Sequence, residues 1–315
     1  MRSLGRIRKP LWTGVVAALV VAVAPVGATQ AGAAAPAPYY LALGDSLSQG
    51  VQPNSSGASV ETDRGYVDDL YSVYKQAVPG LRLVKLGCPG ETTTTMIDGG
   101  ICSYTEGSQL AQALSFLRNP RHHVVLVTLD IGANNVDDCV TASSLDLACV
   151  ENGITQAASE LRIILGSIRA AARGAQVVGM NYYDPFLAAW LEGSAGRVLA
   201  GESVTLTTTF NSDLDSVYAA FGDPVADVQS AFHTTDWTPI PLLGVPVNVA
   251  AICALTWMCA PFPVGPNIHA NDLGYWVIAG AFLPEIRFSP LHRQWNPARG
   301  RIVTDGGRRE KTSRG

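Results

Sequence analysis

A serine, Ser46, lies in a glycine-flanked segment that directly follows the apolar run 39–43. The segment reads Gly-Asp-Ser-Leu-Ser-Gln-Gly from Gly44 to Gly50. The run is typical of a buried strand, and open α/β sheets bind their ligands at the carboxyl ends of such strands. Ser46 is therefore our candidate nucleophile. An ordinary strand-to-loop turn is the alternative, since Gly, Asp and Ser are common turn residues.

A hydroxyl nucleophile needs a general base, and the sequence contains five histidines. His269 stands directly before a stretch with helical spacing that starts near Asn271. The other four histidines precede a predicted strand, occupy a polar turn or lie in a basic tail: His122, His123, His233 and His292. We therefore expect His269 to take the Ser46 proton.

An acyl-transfer site also needs hydrogen-bond donors for the developing oxyanion. The candidates are the main-chain N–H of Ser46, the main-chain N–H of Gly90 and the side-chain amide of Asn134. Segments 88–92 and 132–135 both follow predicted strands, so they should converge on the sheet edge that holds Ser46. Turn chemistry would account for either segment taken alone.

The elements that must position these residues alternate between strands and helices. Apolar runs predict parallel strands at 39–43, 81–86, 123–129 and 175–180, with a weaker pattern at 224–228. Helical spacing recurs between them, at 65–77, 107–117, 152–172, 194–221 and 271–282. This alternation predicts a three-layer α/β/α sandwich with a central parallel sheet and right-handed crossovers.

Two aromatic-rich stretches are candidates for the walls of a substrate pocket. The stretch 235–264 is longer than a minimal connection, and we expect it to form a covering loop; a surface elaboration is the alternative. Aromatic and apolar residues after the fourth strand predict one wall, with two more residues reaching over from the long loop: Tyr182, Tyr183, Pro185, Phe186, Trp190, Trp257 and Met258. Aromatic packing under loops is the alternative.

Residues 1–35 have the three parts of an export signal: a basic front, an apolar stretch at 11–26 and a small-residue region at 28–35. An uncleaved anchor is less favoured, because the apolar stretch is short for a span of about 20 residues. We therefore expect a Sec-type or similar signal peptide and a secreted protein. About 280 residues remain, enough for one large α/β domain at 36–286.

The net charge of −4 and the charged content of 15% favour neither a nucleic-acid surface nor a highly charged disordered chain. From 287 to 315, however, basic residues collect among Gly, Pro and Ser with little apolar periodicity. We expect this stretch to be a basic, disordered tail that can contact an anionic cell envelope.

Six cysteines in an exported chain favour disulfides, and six thiols allow 15 complete pairings. Spacing predicts that sequence neighbours pair, each pair enclosing a short loop: Cys88–Cys102, Cys139–Cys149 and Cys253–Cys259. Zinc is less favoured, since no CxxC pair is present and the histidines are far from the cysteines in sequence. We expect no metal site.

Taken together, the four segments resemble the sequence blocks of the SGNH, or GDSL, hydrolases. Residues 44–47 are similar to the first block, Gly90 fits the second, residues 132–135 resemble the GxND of the third, and His269 fits the last. The order and spacing agree from Tyr39 to about Leu283. The similarity is greatest to secreted actinobacterial lipases and esterases. It implies a flavodoxin-like fold, ester hydrolysis through an acyl-enzyme on the serine, and no metal or organic cofactor.

Two positions depart from that family pattern. Asn135 stands where the third block usually has Asp, although the donor Asn134 is retained. The last block usually reads DxxH, but Pro266 stands three residues before His269, so the customary carboxylate is missing. Because a main-chain carbonyl can accept the Nδ1 proton, we expect a Ser46–His269 dyad oriented by the carbonyl of Pro266. Three carboxylates are rival orienting groups: Asp272, Asp236 and Asp227.

The leading expectation is a secreted serine ester hydrolase acting on carboxylic, in particular fatty acyl, esters of small molecules or lipids. The same residues would serve a carbohydrate or cell-wall O-acetyl esterase. The missing carboxylate and the basic tail are also compatible with a catalytically silent envelope-binding protein. Nucleic acid is not an expected partner.

Overall fold

The computed structural model describes residues 36–139, 146–172 and 174–287, and the backbone at 294–296 and 301–303. The expected export signal lies outside the described residues, as does most of the expected tail. Within the tail, β8 (Gln294–Asn296) and β9 (Arg301–Val303) form an antiparallel pair. Aromatic and β-branched residues in these two segments favour extended backbone.

Five parallel strands form the central sheet: β1 (Pro38–Gly44), β4 (Arg82–Lys85), β5 (His123–Asp130), β6 (Gln176–Met180) and β7 (Val225–Ala226). Their order is β4-β1-β5-β6-β7. The connection after β1 leads to β4 on one side of it, and the later connection leads to β5 on its other side. Connections that leave in opposite directions open a crevice between the carboxyl ends of β1 and β5. A separate short antiparallel pair follows β1: β2 (Gln52–Pro53) and β3 (Ser59–Val60).

Helices cover the sheet: α1 (Tyr66–Ala77), α2 (Thr93–Asp98), α3 (Gln109–Arg118), α4 (Leu147–Ala171), α5 (Gly193–Phe221), α6 (Val228–Ala231), α7 (Val247–Leu255) and α8 (Asp272–Phe282). Three 3₁₀ segments accompany them: Ala133–Asn135, Asp137–Cys139 and Pro185–Glu192. The helix α1 packs against α8, and α4 packs against α3 and α5. Because crossovers between parallel strands are right-handed as a rule, these two groups belong on opposite faces of the sheet. The parallel sheet with helices packed on it confirms the predicted α/β fold.

The burial of β1 explains why its apolar run predicts a strand. Tyr40, Leu41, Ala42 and Leu43 are all fully buried, because a central parallel strand is covered by helices on both faces. The helix α4 buries the predicted apolar stripe but begins at Leu147, five residues earlier than expected. The side chain of Asp146 caps it by accepting the main-chain N–H of Cys149.

The expected covering loop at 235–264 contains the helix α7. Pro246 precedes its first residue, and the following run is apolar on every side, so it has no amphipathic stripe that would have predicted a helix. Among the described residues, no helix combines the length and the apolar character that a membrane crossing requires.

All six cysteines form disulfides, and the pairs are Cys88–Cys102, Cys139–Cys149 and Cys253–Cys259. Each pair closes a short loop, as the spacing predicts. Three disulfides are consistent with a protein that matures in an oxidising compartment.

Candidate active site

A cavity of about 80 Å³ lies at the carboxyl ends of β1 and β5. Three of the expected site residues line it: Ser46, Asn134 and His269. The rest of its wall is mostly apolar, and comprises Leu47, Ala133, Val136, Tyr182, Tyr183, Pro185, Phe186, Phe210 and Ile268, with Asp45, Asp137 and Thr207 as further polar members. The crevice that the strand order creates thus contains a serine, an amide and an imidazole.

The turn that carries Ser46 is held from both sides. At its start, Gly44 donates its N–H to Gln109 Oε1 (2.7 Å) and accepts from Gln109 Nε2 through its carbonyl (2.9 Å). Past the serine, Asp45 Oδ1 accepts the N–H of Leu47 (2.9 Å). Gly44 has a φ of 138°, and a Cβ there would collide with the main-chain oxygen of Asp130, so only glycine fits.

Two buried carboxyl groups lie beneath this turn. Asp130 Oδ2 accepts the N–H of Ser48 (3.1 Å), and Oδ1 accepts the hydroxyl of Tyr66 (2.6 Å). Burial raises the pKa of Asp45 to about 6 and, with the added repulsion of Asp45, raises the pKa of Asp130 well above its usual range. Each of the two carboxyl groups therefore loses its proton at a higher pH than an exposed carboxyl does.

Two main-chain donors at the site are unengaged. Within the part of the chain that the structure describes, the N–H groups of Ser46 and Gly90 have no intramolecular acceptor. Gly90 has a φ of 82°, and the space beside it is open. It does not line the cavity itself, but Asn134 Nδ2 donates to the carbonyl of Glu91 (2.9 Å) and so joins the two segments. One amide hydrogen of Asn134 holds this link, and the second is left for a ligand.

Asn135, the departure from GxND, holds the start of α2. Its Oδ1 accepts the N–H of Thr93 (3.0 Å), and its Nδ2 donates to Thr93 Oγ1 (2.9 Å). That hydroxyl gives its own hydrogen to Glu160 (2.5 Å). A carboxylate at 135 would face an oxygen with no hydrogen left to donate, which is why an amide fits here.

His269 is oriented by a group that the sequence did not suggest. Its Nδ1 lies 2.7 Å from Asn267 Oδ1, and its main-chain N–H donates to the same oxygen (3.0 Å). The expectation that the Pro266 carbonyl orients the imidazole is wrong in this structure. The side chain of the next residue turns back along the chain, as Asn side chains do in turns, and occupies that place.

The Asn267 contacts also determine the tautomer. A main-chain N–H can only donate, so the atom it contacts must be the oxygen of the amide. The Nδ1 atom beside that oxygen must then carry the proton, which leaves a lone pair on Nε2. Asn267 Nδ2 donates on its other side to Ser59 Oγ (3.0 Å), which fits the same orientation.

Burial lowers the pKa of His269 to about 4. A lowered pKa means that the imidazole is neutral near pH 7, as a general base must be. An amide oxygen offers a partial charge where a carboxylate would offer a full one, so it orients the ring without raising the pKa. Ser46 and His269 both line the cavity but make no direct hydrogen bond to each other in the described residues.

The three rival carboxylates have other partners. Asp272 accepts from Gln52 (2.8 Å) and pairs with Arg64 (2.8 Å). Asp227 caps α6 and accepts from Asn181, and Asp236 is half-buried and accepts the N–H of Thr238. In the described residues none of them is bonded to His269.

The backbone on either side of His269 is also tied to other elements. Tyr183 donates its hydroxyl to the carbonyl of Ile268 (2.7 Å), and the N–H of Trp257 donates to the carbonyl of His269 (3.0 Å). Of the seven aromatic and apolar residues expected to form the wall, four line the cavity: Tyr182, Tyr183, Pro185 and Phe186. The other three expected residues do not line it: Trp190 packs on Trp237, Trp257 donates to Gln52, and Met258 is elsewhere on the same loop.

Sequence reasoning missed Asn267 and Gln109. Both are amides, and their roles depend on turn geometry and on contacts across 65 residues, which no local pattern encodes. The single available signal was an Asn two residues before the candidate base. Within the described residues, no group of three or more His, Cys, Asp or Glu side chains is placed to hold a metal ion.

Comparison with known proteins gives one family and several solved structures. The sequence model of the GDSL-like Lipase/Acylhydrolase family matches residues 42–277. An extracellular lipase from Streptomyces rimosus is similar in structure, with a TM-score of 0.54, 20% identity, and coverage of 79% of this chain and 100% of that one. A phospholipase A1 from Streptomyces albidoflavus NA297 is similar too, with a TM-score of 0.53, 19% identity, and the same coverage. Comparison with curated protein sequences finds no match.

Proposed function

The chain belongs to the GDSL-like lipase/acylhydrolase family and is a carboxylic ester hydrolase, and we propose that it uses Ser46 as nucleophile and His269 as general base. The observation that carries this proposal is the cavity that both residues line, together with the Asn267 contact that leaves a lone pair on His269 Nε2. The missing carboxylate is no obstacle, because the imidazole is already neutral and oriented.

The reaction follows from these roles. His269 Nε2 takes the hydroxyl proton as Ser46 Oγ attacks the ester carbonyl, and a tetrahedral oxyanion forms. The N–H groups of Ser46 and Gly90 and the free amide hydrogen of Asn134 donate to it. His269 then protonates the departing alcohol, and an acyl-enzyme remains. Water, activated by the same imidazole, attacks the acyl carbon and releases the carboxylic acid. Hydrogen bonds that are absent in the free protein can form when the substrate excludes water.

We also propose that the preferred substrates are fatty acyl esters. Nine apolar residues line the cavity beside the serine, and burial of methylene groups against such a wall is favourable by about 0.8 kcal/mol each. An acetyl group would leave most of this surface without a partner. The O-acetyl esterase alternative is therefore less favoured, and so is a silent binding protein, since the base and the donors are free to act.

Secretion and the division of the chain into signal, domain at 36–286 and basic tail belong to the same proposal. Three disulfides support an extracellular location, as does the similarity to an extracellular lipase. A tail rich in arginine would contact an anionic envelope through charge alone.

Hydrolysis of p-nitrophenyl esters by the purified, oxidised protein tests the proposed roles. We expect turnover that rises from acetate to butyrate and hexanoate, and that is lost in both Ser46→Ala and His269→Ala. The variant Ser48→Ala, two residues further along the same turn, is the matched control for the nucleophile. Turnover of the acetyl ester alone would favour the O-acetyl esterase, and full activity of Ser46→Ala would contradict the proposal.

A further inference from the structure

A second cavity, of about 50 Å³, lies directly behind the first. It is formed between α4 and α5, and four residues belong to the walls of both cavities: Val136, Phe186, Thr207 and Phe210. The two spaces are therefore separated by one layer of side chains, with the serine on one side and α4 on the other.

The second cavity is suited to hydrocarbon. The residues that line it alone are Val150, Ile154, Ser203 and Leu206. Three of these are aliphatic, and the hydroxyl of Ser203 is occupied, since it donates to Asp184 (2.7 Å) and lies 3.0 Å from the carbonyl of Ala200. A polar ligand would have few partners there, whereas a methylene chain needs none.

The dividing layer is held in place from the catalytic side. The ring of Phe210 stacks on Tyr182, with centroids 5.8 Å apart, and it covers Gly132 of the third block. Phe186 is half-buried, and its main-chain N–H is bound by Asp184 (2.9 Å). Phe210 is thus the more firmly packed part of the partition, and we expect the half-buried Phe186 to be the part that turns aside.

We propose that the two cavities form one acyl-chain site, in which the second cavity holds the distal methylene groups of medium-length chains. This inference rests on the proposed ester hydrolysis at Ser46. One water-sized group takes about 10–15 Å³ of such volume, so the first cavity accommodates about five to eight groups and the second about three to five. Acyl chains of up to about six carbons fit beside the serine, and chains of about eight to ten carbons require the second cavity.

Filling the second cavity tests this directly. Val150→Phe places a ring in it without touching the first cavity, and Leu206→Phe does so from α5 and serves as a second variant in case α4 does not tolerate the change. Because each buried methylene group is worth about fourfold in binding, we expect kcat/KM for octanoate and decanoate esters to fall at least tenfold. Acetate and butyrate esters should stay within about twofold of the parent protein. Ile163→Phe, on the exposed side of α4, is the matched control and should change neither.

Binding of the free acids separates this inference from the proposed catalysis. Calorimetry with sodium octanoate and sodium butyrate on Ser46→Ala and on Ser46→Ala/Val150→Phe needs no turnover. We expect octanoate to bind about tenfold or more weakly to the double variant, and butyrate equally to both. If the parent protein hydrolysed no ester, the proposed function would be contradicted. If octanoate bound equally well with and without Val150→Phe, the proposed role of the second cavity would be overturned. An equal loss for all chain lengths would overturn it as well.

Discussion

At the level of single residues, burial and one amide set the protonation state and the orientation of His269, the base that we propose. Burial makes His269 neutral, and Asn267 holds the proton on Nδ1. The usual carboxylate would also stabilise the imidazolium that forms during proton transfer. Without that carboxylate, the imidazolium of His269 is less stabilised. The imidazole therefore stays unprotonated in mild acid.

The pH dependence of acylation follows from the lowered pKa of His269. The active form is the unprotonated one, so kcat/KM should be constant from about pH 8 to about pH 5 and fall as the pH drops through about 4. In Asn267→Asp, a carboxylate next to Nδ1 favours the imidazolium, and the fall should move upward by about one pH unit or more. Asn267→Ala adds no charge and should keep the fall near 4, with a plateau lower by about tenfold because the tautomer is no longer held. Identical profiles for the Asp and Ala variants would contradict this account.

Much of the site could be predicted from the sequence, and Asn267 shows why the rest could not. Ser46, Asn134 and His269 each stand at a boundary between predicted elements, so their meeting at one sheet edge follows from the strand order. The orienting contact depends on how two residues in a turn fold back on each other. Pro266 and Asn267 are one position apart, and only the folded structure shows which of them contacts the imidazole.

At the scale of elements, α3 connects the segments that carry the donors. Gln109, the first residue of the helix, is fully buried and bonds to both main-chain groups of Gly44 and to the carboxylate of Glu91 (2.9 Å). Glu91 in turn accepts from Asn134 through its carbonyl. Cys88, at the start of the same segment, is fixed by its disulfide to Cys102. The end of β1 and the Gly90 turn therefore keep their relative position through one glutamine.

Replacement of Gln109 by alanine should affect stability and turnover together. It leaves the N–H of Gly44 without its acceptor and removes one donor each from the Gly44 carbonyl, which keeps the N–H of Cys88, and from the Glu91 carboxylate. We expect a cost on the order of 2–3 kcal/mol in the free energy of unfolding. We expect kcat to fall more than KM rises, because the oxyanion donors shift. Gln112→Ala, one turn further along α3 at a more exposed position, is the control. Urea unfolding and ester kinetics measure both effects, and a Gln109→Ala protein as stable and active as the control would refute the linking role.

The sequence predicted the long elements and missed the short ones, for physical reasons. Buried parallel strands are continuous apolar runs, so β1 and β5 can be predicted from the sequence alone. The helices α2 and α6 are too short to show a helical period, and α7 is apolar all round. The start of α4 depends on a cap by Asp146, which sequence spacing placed in the preceding loop.

At the scale of the whole molecule, several carboxyl groups are buried with neutral partners. Asp184 is fully buried, where it binds the N–H of Phe186 and the hydroxyl of Ser203, and burial raises its pKa to about 6. Asp184 therefore connects the cavity wall at Phe186 to Ser203 in α5. Above its raised pKa, the connection requires a negative charge to be buried, which lowers stability. A group with a raised pKa contributes stability that is present at low pH and is lost as the pH rises through about 6.

Comparison with Asp184→Asn should reveal this contribution. The amide is neutral at every pH and can keep both hydrogen bonds, with Ser203 accepting in place of donating. Relative to the variant, the parent protein should gain about 2 kcal/mol of unfolding free energy as the pH falls from about 8 to about 4.5. Denaturant unfolding at the two pH values measures the difference, and Asp236→Asn, at a carboxylate that does not line either cavity, controls for the loss of one charge. A difference that is the same at both pH values would contradict the raised pKa of Asp184.

In the mechanism that we propose, His269 activates Ser46 as a nucleophile without a carboxylate. The most direct measurement is reaction of the folded, oxidised protein with a fluorophosphonate, followed by intact mass and peptide mapping. We expect one adduct per chain, on Ser46, absent in Ser46→Ala and formed far more slowly in His269→Ala. Three variants should react at the parent rate within about tenfold: Asp272→Asn, Asp236→Asn and Asp227→Asn. An adduct on another serine, or a loss of several orders of magnitude in one of the Asp variants, would contradict it.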